Sequence, residues 1–361
     1  MGTATQVGST LSAMPSPDSV PFLPGQTDRD HDLCAVGTAL IDYLSHASLE
    51  VVALLGVEPG AMTLIDGVMA AQIRAAVGEG EEIVSGGTVA NTAAGVASLG
   101  GSPVYVGAVA SDDLGRRYAA DLVSAGVSPV LEVLPIAEDG VTGTGTCYVM
   151  VTPDGQRTMA TTLGVSGLLG HGTISESVIA DSSLVYFDGY MLDFPDSENI
   201  VNRIIDLAKQ SSTNVAIGLA DPFVVDRHGD RLRELIGRVD LVFSNQDEVM
   251  ALTGAESVEA AMEGLRRPRR AVVITLGAKG ALLGNGDGVV HVAADLVTEV
   301  TDTTGAGDLF AAGVCFGATH GFGAAECGRL GALCAAEAIS HLGARPATPL
   351  FELAERAGLI S

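Results

Sequence analysis

Lysine is nearly missing from this chain, and its scarcity removes the commonest phosphate-binding loop. Lys209 stands between Ala208 and Gln210, and Lys279 between Ala278 and Gly280; a P-loop needs lysine after glycine and before serine or threonine. The five cysteines, Cys34, Cys147, Cys315, Cys327 and Cys334, are an odd set without a CxxC pair. They read as reduced core residues of a cytoplasmic protein rather than a disulfide framework. Seven histidines are scattered without an HExxH or a Cys/His cluster, so a zinc centre has no support, and no GxSxG elbow is present. No apolar run approaches the ~18 residues of a membrane span. Positive charge is also short: Lys and Arg total 19 against 44 Asp and Glu, a formal charge of −25. Such a field repels nucleic acid and anionic membranes, so neither is expected as a partner. Any polyphosphate site must build its own positive potential from helix N-termini, a few arginines and a bound cation.

Apolar mass is present in quantity. At 361 residues and 47% hydrophobic content the chain can bury the core of one large α/β domain or two smaller ones. From Leu33 onward short β-branched runs alternate with helix-patterned segments, as in a mostly parallel central sheet covered on both faces, a three-layer α/β/α domain. The pattern predicts strands at 33–37, 103–109, 184–187, 215–219, 241–243 and 271–275. Helices are predicted at 89–99, 112–125, 197–210, 246–253, 257–266, 308–320 and 324–342, the last with Leu330, Cys334, Ile339 and Leu342 on one side and Gly343 after its end. Between about 130 and 162, the short runs 130–134, 146–151 and 158–162 follow one another with no helix between them. With a piece near 40–55 they read as a small β-sheet flap, a lid that would exclude water. Residues 1–30, rich in Gly, Ser, Thr and Pro, lack the basic start and apolar stretch of a signal peptide and read as a disordered tail.

The sharpest local signal is TDTTGAGDLFAAG at 301–313, a glycine-rich turn that runs into an apolar helix. Main-chain N–H groups of Gly305, Ala306, Gly307 and Asp308 fall in a first helical turn, where they lack intrahelical partners and the dipole favours an anion. The Asp308 carboxylate beside them is placed to take a proton from an attacking hydroxyl, or simply to complement the dipole. A dinucleotide fingerprint is excluded because Phe310 stands where a third small residue must let helix and strand pack closely.

Together with SGGTVANTAAGVASLGG at 85–101, VDLVFSNQDEV and TLGAKGALL, this motif makes the chain resemble the ribokinase-like (PfkB) family of sugar and nucleoside kinases over roughly 33–346. The resemblance implies a ribokinase-like kinase domain over 31–361 whose lid strands come from about 40–55 and 130–162. It makes Gly305, Ala306 and Gly307 the anion hole for a migrating phosphoryl group and Asp308 the base. By match, Asn245 and Glu248 help hold Mg²⁺ through water at the nucleotide phosphates, although Asn followed three residues on by Glu is also a helix-capping pattern. Thr275, Gly277, Gly280 and Thr304 match nucleotide-binding positions, and Asp302 with Thr304 a place where some members hold a monovalent cation such as K⁺. Asp42, Gly86, Gly87 and Asn91 match positions that grip sugar hydroxyls, since a carboxylate and an amide offer acceptors and a donor together. Read without the family, Gly86–Gly87 is equally a turn and Asp42 a solvated acid.

For the acceptor, TGTCYV, PDGQRTM and LADPFVVDRHGD look closer to the adenosine-kinase-like branch than to ribokinase. Arg157 would bring positive charge to the closed site and Cys147 lies in the lid. Tyr186, Phe187, Tyr190 and Phe194 crowd one segment, as rings to stack on a purine or as ordinary packing. The expectation is an ATP- and Mg²⁺-dependent kinase acting on the primary hydroxyl of a nucleoside, adenosine first, and working as a monomer or homodimer. A sugar kinase acting on ribose, fructose or a keto-sugar acid is the alternative. A silent family member that only binds nucleotide would be free to lose Asp308, which is intact here.

Overall fold

The computed structural model describes residues 20–24, 29–59, 62–78, 80, 82–136, 142–152 and 157–361. In chain order the strands are β1 (His31–Val36), β2 (Leu40–His46), β3 (Met62–Leu64), β4 (Glu82–Gly86), β5 (Pro103–Ala110), β6 (Ser128–Leu134), β7 (Gly145–Val151), β8 (Arg157–Thr162), β9 (Ser182–Asp188), β10 (Asn214–Gly218), β11 (Leu241–Asn245), β12 (Ala271–Thr275), β13 (Ala281–Asn285) and β14 (Gly288–Val292). The helices are α1 (Leu49–Leu54), α2 (Gly67–Val77), α3 (Thr88–Ser98), α4 (Asp113–Ser124), α5 (Glu176–Ala180), α6 (Ser197–Ser211), α7 (Pro222–Ile236), α8 (Gln246–Thr253), α9 (Val258–Leu265), α10 (Ala306–Thr319), α11 (Ala324–Ala338) and α12 (Leu350–Arg356).

Nine strands form a large sheet in the order β14-β13-β12-β11-β10-β9-β1-β5-β6, and five form a smaller one in the order β3-β8-β7-β2-β4. From β12 to β6 every pairing is parallel, and β13 and β14 add an antiparallel edge. Parallel strands covered by helices are buried on both faces, and β5 and β9 are buried along their whole length. Strand alternation then sorts the core. Leu33, Ala35, Tyr105 and Leu184 pack with α3, α10 and α11 on one face, while Cys34, Val36, Val106 and Val185 pack with α6 and α7 on the other. The result is the ribokinase-like three-layer α/β/α architecture with a second, smaller sheet.

Two expectations are corrected. Residues 130–134, read as part of the flap, lie in β6 and pair parallel with β5, Val106 opposite Val130. The reason is the crossover: α4 returns the chain to the large sheet in a βαβ unit, which periodicity in 130–134 alone does not reveal. The smaller sheet instead recruits β3 and β4, short strands outside the ranges read for it. Likewise α11 stops at Ala338 rather than near 342, because the Ile339 carbonyl accepts from the Thr301 N–H at 2.8 Å, and Leu342 is exposed. Of the expected tail, 1–19 and 25–28 lie outside the described residues, but Phe22 and Leu23 are 2% exposed and the Phe22 N–H donates to Phe322 O at 2.8 Å. Among the described residues no helix is long and apolar enough to cross a membrane.

Helix α10 is held by backbone-close contacts. A Cβ on Gly313 would fall 2.6 Å from Gly331 N on α11, and one on Gly95 of α3 would fall 2.5 Å from Ala312 Cβ. Replacing Gly313→Ala is expected to push α10 from α11 and cost about 1–3 kcal/mol. An unchanged urea midpoint would show that this contact is dispensable.

Candidate active site

The smaller sheet faces the start of α10 across a cleft of about 920 Å³. Alternation along its strands sends every second side chain into that cleft. Register aligns these side chains into rows: Asp42, Cys147, Thr161 and Leu64 in one, and Leu44, Val149, Met159 and Met62 in the next. All eight line the cleft. The roof is therefore an apolar surface with a carboxylate at one corner.

The floor is built from two helix N-termini. Gly87 caps α3 at φ 93° and Gly305 caps α10 at φ 77°, backbone conformations that favour glycine. A Cβ on Gly305 would also lie 2.6 Å from Ala344 Cα. Asp308 is the third residue of α10, where Asn91 Nδ2 donates to its Oδ2 at 3.0 Å and Thr92 Oγ1 to its main-chain oxygen at 3.1 Å. One expectation narrows: the Ala306 N–H is directed to Thr303 O at 3.3 Å. The amides of Gly305, Gly307 and Asp308 remain for an anion.

Burial in this floor pushes the Asp308 carboxyl up to about 7; the Asn91 hydrogen bond opposes the shift, and Asp188 and Asp42 add to it. Asp42 rises to about 7 by burial, against the pull of Arg345 and Arg157. Its carboxylate occupies the space of a side chain at Gly86, where a Cβ would meet Oδ2 at 2.1 Å, so Gly86 must be bare. Two buried atoms, Asn91 Oδ1 and Thr38 Oγ1, have no hydrogen-bond partner, although such groups normally do. Both residues line the cleft, and substrate hydroxyls would complete them.

Arg157 ties the roof to the floor. Its guanidinium pairs with Asp302 Oδ1 at 2.5 Å and donates to Thr304 Oγ1. Burial would raise the Asp302 carboxyl, but hydrogen bonds from Thr304 and Gly343 and the Arg157 charge hold it below the usual range. With Oδ1 taken by the Thr304 N–H as well and Oδ2 by the Gly343 N–H, a monovalent cation here would rely on main-chain oxygens.

The expected nucleotide residues stand apart from the cleft at the carboxyl ends of neighbouring strands, with Asn245 directly opposite Thr275. Gly277 and Gly280 follow at φ 58° and 90°, and a Cβ on Gly280 would lie 1.9 Å from Val292 O. Asn245 and Glu248 form the reciprocal cap: Asn245 Oδ1 accepts from the Glu248 N–H at 2.8 Å and Glu248 Oε2 from the Asn245 N–H at 2.9 Å. Burial also raises Glu248 to about 7. Among the described residues no cluster of three His, Cys, Asp or Glu could hold a metal. The donors present therefore suit a hydrated Mg²⁺ that arrives on a polyphosphate, with Glu248 facing its water shell.

Of the rings considered for stacking, Tyr186, Phe187 and Phe194 are core residues and only Tyr190 lines the cleft, its hydroxyl donating to Asp221 at 2.8 Å. Sequence reasoning missed Asp188, which accepts from Thr88 Oγ1 and is raised by burial to about 6. Its signal was its position after the run 184–187, since ligands of open α/β sheets bind beyond the carboxyl ends of strands. Thr38 and Arg345 carried no local signal.

Residues 64–350 match the model of the pfkB family carbohydrate kinases. The fold is similar to the adenosine kinase from Sinorhizobium meliloti, at a TM-score of 0.85 and 36% identity over 91% of this chain and 99% of that one. A probable sugar kinase from Rhizobium etli superposes equally well, at a TM-score of 0.85 and 35% identity over 92% of this chain and all of that one, a coverage of 100%. An uncharacterized sugar kinase of Archaeoglobus fulgidus is 28% identical over 71% of this chain and 98% of its own length.

Because Asp308 titrates near 7 when folded and near 3.9 when unfolded, the folded state binds the extra proton between those values, and stability falls as pH rises through that window. Asp308→Asn should therefore melt at about 1–3 °C above the parent at pH 8, with the gap closing by pH 4. Equal melting temperatures at both pH values would contradict the raised carboxyl.

Proposed function

We propose that this chain, which belongs to the pfkB family of carbohydrate kinases, phosphorylates the primary hydroxyl of a nucleoside, adenosine first, with ATP and Mg²⁺. At the coarser level it is a phosphotransferase acting on a sugar or nucleoside hydroxyl. The observation that carries the finer reading is Asp308, oriented by Asn91 beside the free amides of α10 and under an apolar roof.

The substrate hydroxyl donates to Asp308, whose raised carboxyl is ionised at and above neutral pH and matched to a proton transfer late in the reaction. Oxygens of the migrating phosphoryl group accept from the amides of Gly305 and Gly307, and Arg157 adds charge from the roof. Bound Mg²⁺ supplies charge neutralisation at the nucleotide phosphates. The ribose lies toward Asp42, Asn91 and Thr38. Leu44, Val149, Met159 and Met62 offer a nucleobase an apolar surface that a small sugar would leave wet, which favours the nucleoside. The five cysteines, free and buried, suit a cytoplasmic enzyme.

An ATP-consumption screen over nucleosides and sugars with Mg²⁺, with and without K⁺, tests the acceptor: adenosine should give the highest kcat/KM, and a sugar in first place would overturn the nucleoside reading. Asp308→Asn should keep ATP binding and lose about 10²–10⁴-fold in kcat; near-parental turnover would remove the base. In the parent, kcat should fall as pH drops below about 7 and Asp308 takes up a proton.

A further inference from the structure

Arg345 has no assigned task, yet its surroundings are unusual for a cation. Its Nε and Nη2 are sealed from solvent and donate to no acceptor, and a desolvated guanidinium without acceptors is costly. It lines a side chamber of about 360 Å³ together with Asp42, Glu82, Asp121, Arg117 and Arg157. The other two arginines are occupied. Arg117 donates to Ile83 O and lies 3.7 Å from Asp121, and Arg157 is held by Asp302 and Thr304. Asp42, which borders both the chamber and the main cleft, accepts a hydrogen bond from no protein donor among the described residues.

We propose that Arg345 is a specificity-determining residue of the acceptor site: it donates to the pair of adjacent ring hydroxyls whose protons Asp42 accepts, so that the pocket selects a neutral vicinal diol. A hydroxyl can donate and accept at once, and two neighbouring hydroxyls match a carboxylate and a guanidinium side by side. A carboxylate or phosphate on the substrate would satisfy Arg345 but face Asp42, with Glu82 and Asp121 behind it. Charge thus favours the diol over an acid. The turn that carries Arg345 also reaches the anion hole, since the Gly343 N–H donates to Asp302 Oδ2 at 3.0 Å and Ala344 packs on Gly305. Diol capture and the phosphoryl site therefore share one backbone segment.

The inference rests on the cleft being the acceptor site, and its test separates the two. Binding of adenosine, 2′-deoxyadenosine and 3′-deoxyadenosine to the parent, Arg345→Lys and Arg345→Gln is measured by calorimetry without nucleotide, alongside kcat/KM and a thermal melt. Arg345→Gln should weaken adenosine by about 10–100-fold and each deoxy analogue markedly less, with Arg345→Lys between. Equal losses on all three ligands, or no loss, would overturn the proposal and leave Arg345 as a structural cation. A parent that prefers a sugar acid, with that preference lost in Arg345→Gln, would also overturn it. If the screen finds a neutral sugar instead, the nucleoside reading fails and the same comparison is made with that sugar and its deoxy forms.

Discussion

Asn91 and Asp308 can meet only because the two helices that carry them almost touch. One turn beyond each residue stand Gly95 and Ala312, where a glycine Cβ would lie 2.5 Å from its neighbour. Removing side chains at that crossing brings the backbones together and lets an amide on α3 reach a carboxylate on α10 at 3.0 Å. The same economy recurs at Gly313 and Gly331, which fix the opposite side of α10. A core packed this tightly transmits small volume changes directly to the helix start.

That crossing has an electrostatic result. It points the N-termini of α3 and α10 at one cleft in a molecule whose net charge is −25. Helix dipoles, free amides and Arg157 make a local positive region where the overall field is negative. Within it Asp42, Asp188 and Asp308 are each raised by burial, and Asp42 and Asp188 further raise Asp308. A desolvated carboxyl is poor for stability and useful for proton transfer, the exchange expected where chemistry occurs.

The smaller sheet depends on register as the helices depend on contact. Asp42 opposes Cys147, and Leu44 opposes Val149. A slip of one residue in β2 would turn Asp42 away from the cleft and present Tyr43 instead. The stacked pair Tyr43 and Tyr148, with centroids 5.2 Å apart, packs on the far face and resists such a slip. The apolar side chains that remain on the inner face are those that would shed water around a substrate.

Local chemistry was enough to read much of this protein from its residues. Six core strands and the major helices follow from periodicity and caps, and 246–253 and 271–275 coincide with α8 and β12. The anion hole and its acid could be read because GAGD is contiguous: a turn, a helix start and a carboxylate lie within four residues. Tertiary structure alone decided the rest. The place of β6, the recruitment of β3 and β4, the loss of Tyr186 and Phe187 to the core, and the approach of Arg345 to Asp42 all join segments far apart in the chain. Periodicity reports which face of an element is apolar, and a motif reports what one turn can bind. Neither reports which distant backbone comes to rest against it, because that is set by how the layers fill space.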